Sequence, residues 1–104
     1  MARPIVSWIN LVEVYDRLER DHGRVAADET LRDLRVALAP ELPGTARMIE
    51  AAQVKAAAPI ALGDCFAIAT AAANDLVLLT GNPEIIELHE RRCIVEDLRP
   101  QRTR

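Results

Sequence analysis

Four apolar residues in a row, Leu76-Val77-Leu78-Leu79, run into Thr80-Gly81-Asn82-Pro83, and no other stretch limits the possible folds as much. A strand with one wet face alternates apolar and polar side chains. A continuous apolar run closed by turn residues instead fits a strand covered on both faces, as in a parallel sheet. Parallel strands need crossover connections, usually helices. The rest of the chain reads as a supply of them.

Residues 4–8 read as a short strand with β-branched Ile5 and Val6. The period then changes. Trp8, Leu11, Tyr15 and Leu18 fall at i, i+3, i+7 and i+10, one face of a helix over residues 9–21, and Gly23 offers its stop. A second helix is expected over residues 26–39, with Leu31, Leu34 and Leu38 on one stripe, until Pro40, Pro43 and Gly44 break it. Further helices are expected over residues 46–57 and 63–73, separated by Pro59, and a short one over residues 83–91. Ile94 and Val95 suggest a last strand. With no internal repeat and no long linker, residues 1–104 read as a single α/β domain.

The core has to be built from Ala, Val, Leu and Ile, because Trp8, Tyr15 and Phe66 are the whole aromatic complement. A charged fraction of 28% and a mean hydropathy of +0.02 exclude a disordered chain. The net charge of −3 excludes a protein that grips nucleic acid mainly through a strongly basic surface. A local basic face remains open through Arg17, Arg20 and Arg24. Cys65 and Cys93 form no C-x-x-C pair, which suits a reducing compartment. With no leader pattern and no apolar run of membrane length, the expected address is the cytoplasm.

Three polar positions stand out. Glu13 interrupts an apolar helix start, Asp64 opens the alanine-rich helix, and Asn82 follows the buried strand, at the end of a sheet where such folds place ligands. Oxygen donors converging there would suit Mg²⁺ or Mn²⁺. Each also has a plain structural explanation. Asn10, Glu13, Arg17 and Arg20 could form a solvated stripe, with Glu13 and Arg17 an i, i+4 ion pair. Asp64 could only complement a helix dipole, and Asn82 before Pro83 could be a helix N-cap. His22 and His89 are isolated, and Cys65 has no nearby histidine to activate it, so a packed thiol is expected.

Taken in order, the motifs are recognisable. The segment Ser7-Trp8-Ile9-Asn10-Leu11-Val12-Glu13-Val14-Tyr15 resembles the strand-to-helix segment of PIN-domain ribonucleases, with an Asn three residues before the acidic Glu. Leu62-Gly63-Asp64-Cys65-Phe66-Ala67-Ile68-Ala69 looks like the family's second acidic motif, and Leu79-Thr80-Gly81-Asn82-Pro83 resembles its Thr-Gly-Asp turn, with Asn82 where an acid is usual. The VapC-type toxins of bacterial toxin–antitoxin pairs are the most similar by eye. The family's opening strand, which ends in Asp-Thr-Ser or similar, has no counterpart here. The resemblance therefore implies an N-terminally truncated PIN-like fold, a parallel sheet flanked by helices.

It implies a metal-dependent endoribonuclease as well, with Glu13 and Asp64 as ligands of Mg²⁺ or Mn²⁺, Asn82 as a ligand or water-orienting group, and Thr80 bracing the site. RNA is the implied substrate and an antitoxin protein the implied partner. Loss of a central strand would leave two edges facing a gap, to be closed by a second copy or by rearranged local strands, so a homo-oligomer is expected. The alternatives are a non-catalytic PIN-derived module for protein binding or oligomerisation, and a purely helical interaction domain with little strand.

Overall fold

A computed structural model describes residues 3–80, Glu84 and residues 93–99. Among these residues the order is β1 (Ile5–Ser7), α1 (Trp8–His22), α2 (Arg24–Ala37), β2 (Ala39–Glu41), α3 (Thr45–Ala57), α4 (Leu62–Ala73), β3 (Val77–Thr80) and β4 (Ile94–Asp97). The expected helix over residues 83–91 lies outside the described residues, apart from Glu84. The helical-domain reading is overturned, because β1 pairs with β2 and β3 with β4, both in parallel.

Local chemistry explains the boundaries. The helix expected from Ile9 begins at Trp8, because the Ser7 hydroxyl caps it by accepting from the Ile9 amide at 3.2 Å. α1 and α2 are separated by Gly23 alone, at φ 88, a conformation that strains any residue carrying a Cβ. α2 therefore starts at Arg24 rather than Ala26. It ends at Ala37, so that Ala39, Pro40 and Glu41, read from sequence as helix end and breaker, instead pair with Ile5, Val6 and Ser7. Pro40 cannot donate to a ladder, but β2 lies at a sheet edge where that donor is not required.

α4 ends in a Schellman motif. The Leu76 amide bonds the Ala71 carbonyl at 2.8 Å and the Asp75 amide the Ala72 carbonyl at 3.3 Å, with Asp75 left-handed at φ 56. This turn delivers the chain into β3.

The core lies between α3 and α4. Ala51 and Val54 pack with Ile60, Cys65, Phe66, Ile68 and Ala69, and Leu78, Cys93 and Val95 cover them from the β3–β4 side. The small residues of α4 lead to an expectation that Ala67 and Ala71 pack this helix against the apolar strand. α4 does contact β3 and Ala71 is buried, but Leu76 and Val77 stay 38% and 48% exposed rather than covered on both faces, and the main core face of α4 is Cys65, Phe66, Ile68 and Ala69. Burial pushes the Cys65 thiol up, in keeping with a packed rather than reactive cysteine. No single described helix is long and apolar enough to cross a membrane.

One polar cluster ties β2 to the core helices. The Arg47 guanidinium donates to Glu41 Oε1 at 2.6 Å and to Glu50 Oε1 at 2.9 Å, and Asn74 Nδ2 donates to Glu41 Oε2 at 3.0 Å. The Arg47 hydrogen bond, helped by Asn74 and opposed by burial, holds the Glu41 carboxyl below its ordinary value of 4.5. A carboxyl depressed by folding contributes its full stabilisation above the unfolded value and loses it as pH falls through the folded one. The urea midpoint should therefore drop below about pH 4.5. In Arg47→Met that acid-side drop should shrink, and stability at neutral pH should fall by roughly 1.5–3 kcal/mol. Identical pH profiles in the two proteins would show that the cluster does not stabilise the fold.

Candidate functional site

α1 and α4 meet where the first turn of α4 passes the second turn of α1. The approach is close because residue 63 has no side chain: a Cβ there would run into the Glu13 carboxylate. Asn10, one turn before Glu13 on the same helix, holds the junction. Its Nδ2 donates to the Gly63 carbonyl at 2.9 Å and to Glu13 Oε1 at 3.3 Å. The Glu13 carboxylate is thus set against the backbone of Gly63, the residue immediately before Asp64. Asp64 stands in the first turn of α4 and is half-buried.

The geometry leaves Glu13 exposed, as the solvated stripe expects, but gives it neighbours other than Arg17. The expected Glu13–Arg17 ion pair does not form. The Arg17 Nε instead pairs with Asp21 at 2.9 Å, one turn further along the helix. Arg20 pairs with Asp16 at 3.1 Å and Arg24 with Glu19 at 2.9 Å. The cluster of arginines that could have formed a basic face is therefore matched by carboxylates. These pairs are exposed and add little to stability.

The N-cap residue of α4, Ala61, makes no side-chain cap hydrogen bond. The partial positive charge of such a helix end favours carboxylates and phosphates. Glu13 from one helix and Asp64 from another bring negative charge to that end. Hard oxygen donors are what Mg²⁺ and Mn²⁺ take, and Mg²⁺ is commonly held by one or two carboxylates together with water and substrate phosphate. The donor chemistry of Glu13 and Asp64 fits an ion of that kind. Among the described residues there is no group of three or more His, Cys, Asp or Glu side chains placed to hold a metal.

Asn82, the third expected site residue, lies outside the described residues. Thr80 is the last residue of β3. The residues that sequence reasoning undervalued are Asn10 and Gly63. Asn10 stood as a member of a solvated stripe and as the Asn three residues before the acid of the family-like segment, without a role of its own, and Gly63 only as the neighbour of an acid. Their signals were the i, i+3 spacing of Asn10 and Glu13, and a glycine directly before Asp64 inside a helix, where glycine is otherwise unfavourable.

Comparison with known proteins gives one positive result. Residues 1–90 match the family model described as PIN domain. No curated protein and no solved structure matches the chain.

Proposed function

The chain belongs to the PIN domain family, whose members are generally nucleases that use divalent metals, and from that premise we propose that it is an endoribonuclease dependent on Mg²⁺ or Mn²⁺. In this reading it is the VapC-type toxin of a toxin–antitoxin pair, acting on RNA phosphodiesters in the cytoplasm. Its antitoxin silences it by covering the acidic site.

The observation that carries the reading is the Glu13 carboxylate held against Gly63, next to Asp64, by Asn10. Glu13 and Asp64 would hold the ion, and Asn82 would be a further ligand or orient water. A divalent ion supplies Lewis-acid stabilisation to the charge that develops on the phosphodiester and acidifies the attacking water. The chain's own contribution is positional. Asn10 orients Glu13, Gly63 leaves room for its carboxylate, and the first-turn amides of α4 favour a bound phosphate. Thr80 would brace the site rather than ligate.

A Mn²⁺ titration followed by thermal melting tests this. Any ligand of the folded state stabilises it by RT ln(1 + [L]/Kd), which is about 0.4 kcal/mol, or about 2–3 °C for a domain of this size, when the ion equals its dissociation constant. Wild type should show that rise, and Glu13→Gln and Asp64→Asn should each lose it along with cleavage of a fluorogenic RNA. Equal responses in all three proteins would mean that these acids do not form the site.

A further inference from the structure

The arginines of the described residues fall into two groups. Arg17, Arg20, Arg24, Arg47 and Arg99 each pair with a carboxylate. Arg3, Arg32 and Arg35 are exposed and form no salt bridge among the described residues. These three gather on the C-terminal half of α2. Arg32 and Arg35 are neighbours at i and i+3, and with Asp28, Leu31 and Val36 they line an open depression of about 410 Å³. Arg3 reaches the same helix end, its Nη1 donating to the Arg35 carbonyl at 3.2 Å. Asp28 is the one acid of the depression, a turn before Arg32, but its Oδ1 accepts from the Tyr15 hydroxyl at 2.7 Å instead.

Two further observations bear on what this face takes. The Arg35 guanidinium lies over the Trp8 ring, 5.5 Å from its centroid, a contact that steadies a flat cation while Arg35 stays exposed. Apolar side chains flank the cations, with Leu31 on one side and Val36, 73% exposed, on the other. Positive charge at a helix C-terminus complements the dipole, which accounts for Arg35 and Arg3. It gives no reason for Arg32, which precedes the last turn. An acidic peptide would use only the charge of this face. A nucleotide strand brings planar bases as well as phosphates, and so uses the charge, the plane and the apolar flanks together.

We propose that the face formed by Arg3, Arg32 and Arg35, with Trp8 behind it, is a handhold for single-stranded RNA outside the acidic site; the proposal rests on the nuclease reading. Arg3 and Arg32 take phosphates, since a guanidinium matches a phosphate with two parallel hydrogen bonds. Arg35, held flat on Trp8, offers its outer plane to a base. The chain carries a net charge of −3, so it repels a polyanion in general, and unmatched cations in one place decide where a strand settles. Trp8 and Glu13 share α1, about 7.5 Å apart along its axis. A strand held at Arg35 therefore lies within a short reach of the acids, and the face helps to set which stretch of RNA they meet.

The test titrates a fluorescein-labelled oligouridylate into the full chain in EDTA, so that cleavage plays no part. Anisotropy follows binding, and the emission of Trp8, the single tryptophan of the chain, reports on the face itself. Three neutralised phosphates give a slope of about −2 for log K against log salt, so affinity should weaken about 20-fold between about 50 and about 200 mM salt. Arg32→Gln combined with Arg35→Gln should leave about a 3-fold dependence and abolish the quenching of Trp8. The double variant should keep the Mn²⁺-dependent rise in melting temperature, so failure of the nuclease reading and failure of this one appear in different measurements. Should it not fold, Arg35→Lys decides: it should keep the salt slope and lose most of the quenching. No binding, binding that leaves Trp8 emission unchanged, the same salt slope in wild type and the double variant, or equal binding of a polyglutamate peptide of the same charge would each overturn the proposal.

Discussion

Replacing Phe66 with alanine is expected to cost about 3–5 kcal/mol. Phe66 is 6% exposed and is the single aromatic side chain in a cluster otherwise made of Ala51, Val54, Ile60, Cys65, Ile68 and Ala69. Alanine and cysteine neighbours are short and fixed to two packed helices, so they cannot reach across to fill the space that a lost ring leaves. The cost then includes the cavity as well as the lost burial. Domains of this kind have roughly 5–15 kcal/mol in total, so one residue carries a large share. The urea midpoint should fall by about 2 M with an unchanged slope. A shift smaller than about 0.5 M would show that the α3–α4 cluster is not the stabilising core.

Gly63→Ala is expected to separate function from folding. In most helices this exchange stabilises by up to about 1 kcal/mol, since alanine is the better helix former. Here the new methyl group meets the Glu13 carboxylate, the mobile end of a side chain, which moves aside rather than forcing the helices apart. The variant should therefore melt at or above the wild-type temperature. A displacement of about 1 Å in a positioned catalytic group costs on the order of 100-fold in rate, so RNA cleavage should fall by about that much. The Mn²⁺-dependent rise in melting temperature should vanish with it. Full activity in Gly63→Ala would remove Glu13 from the site. A large loss of stability would mean that the helix contact, not the carboxylate, is what the missing side chain protects.

The candidate acids were legible because acids leave a mark on an apolar pattern. Glu13 inside Leu11-Val12-Glu13-Val14 and Asp64 at the head of an alanine-rich helix are visible as interruptions. What they do is not visible locally. Glu13 had an equally good partner in Arg17 by spacing, and only the arrangement of neighbours shows that Arg17 turns to Asp21 while Asn10 and Gly63 take Glu13. Pro40 shows the same limit in the fold. Proline reads as a breaker in any local window, yet it sits in a strand, because whether its missing donor matters depends on which edge the strand presents.

The kinds of element and most of their limits were determined by the sequence itself. The switch from a period of two to one near four, the unbroken apolar run of β3 and the stop at Gly23 are properties of residues close together in the chain. The capping of α1 by Ser7 and the left-handed Asp75 after α4 are local too, though their weaker signals are shared by many residues that do neither. Tertiary structure alone decided which faces meet. The pairing of β1 with β2, the split into two sheets and the seating of Glu13 on Gly63 all depend on contacts between segments far apart in the chain. No local period encodes these contacts, because burial and backbone pairing are settled by whatever surface arrives from elsewhere.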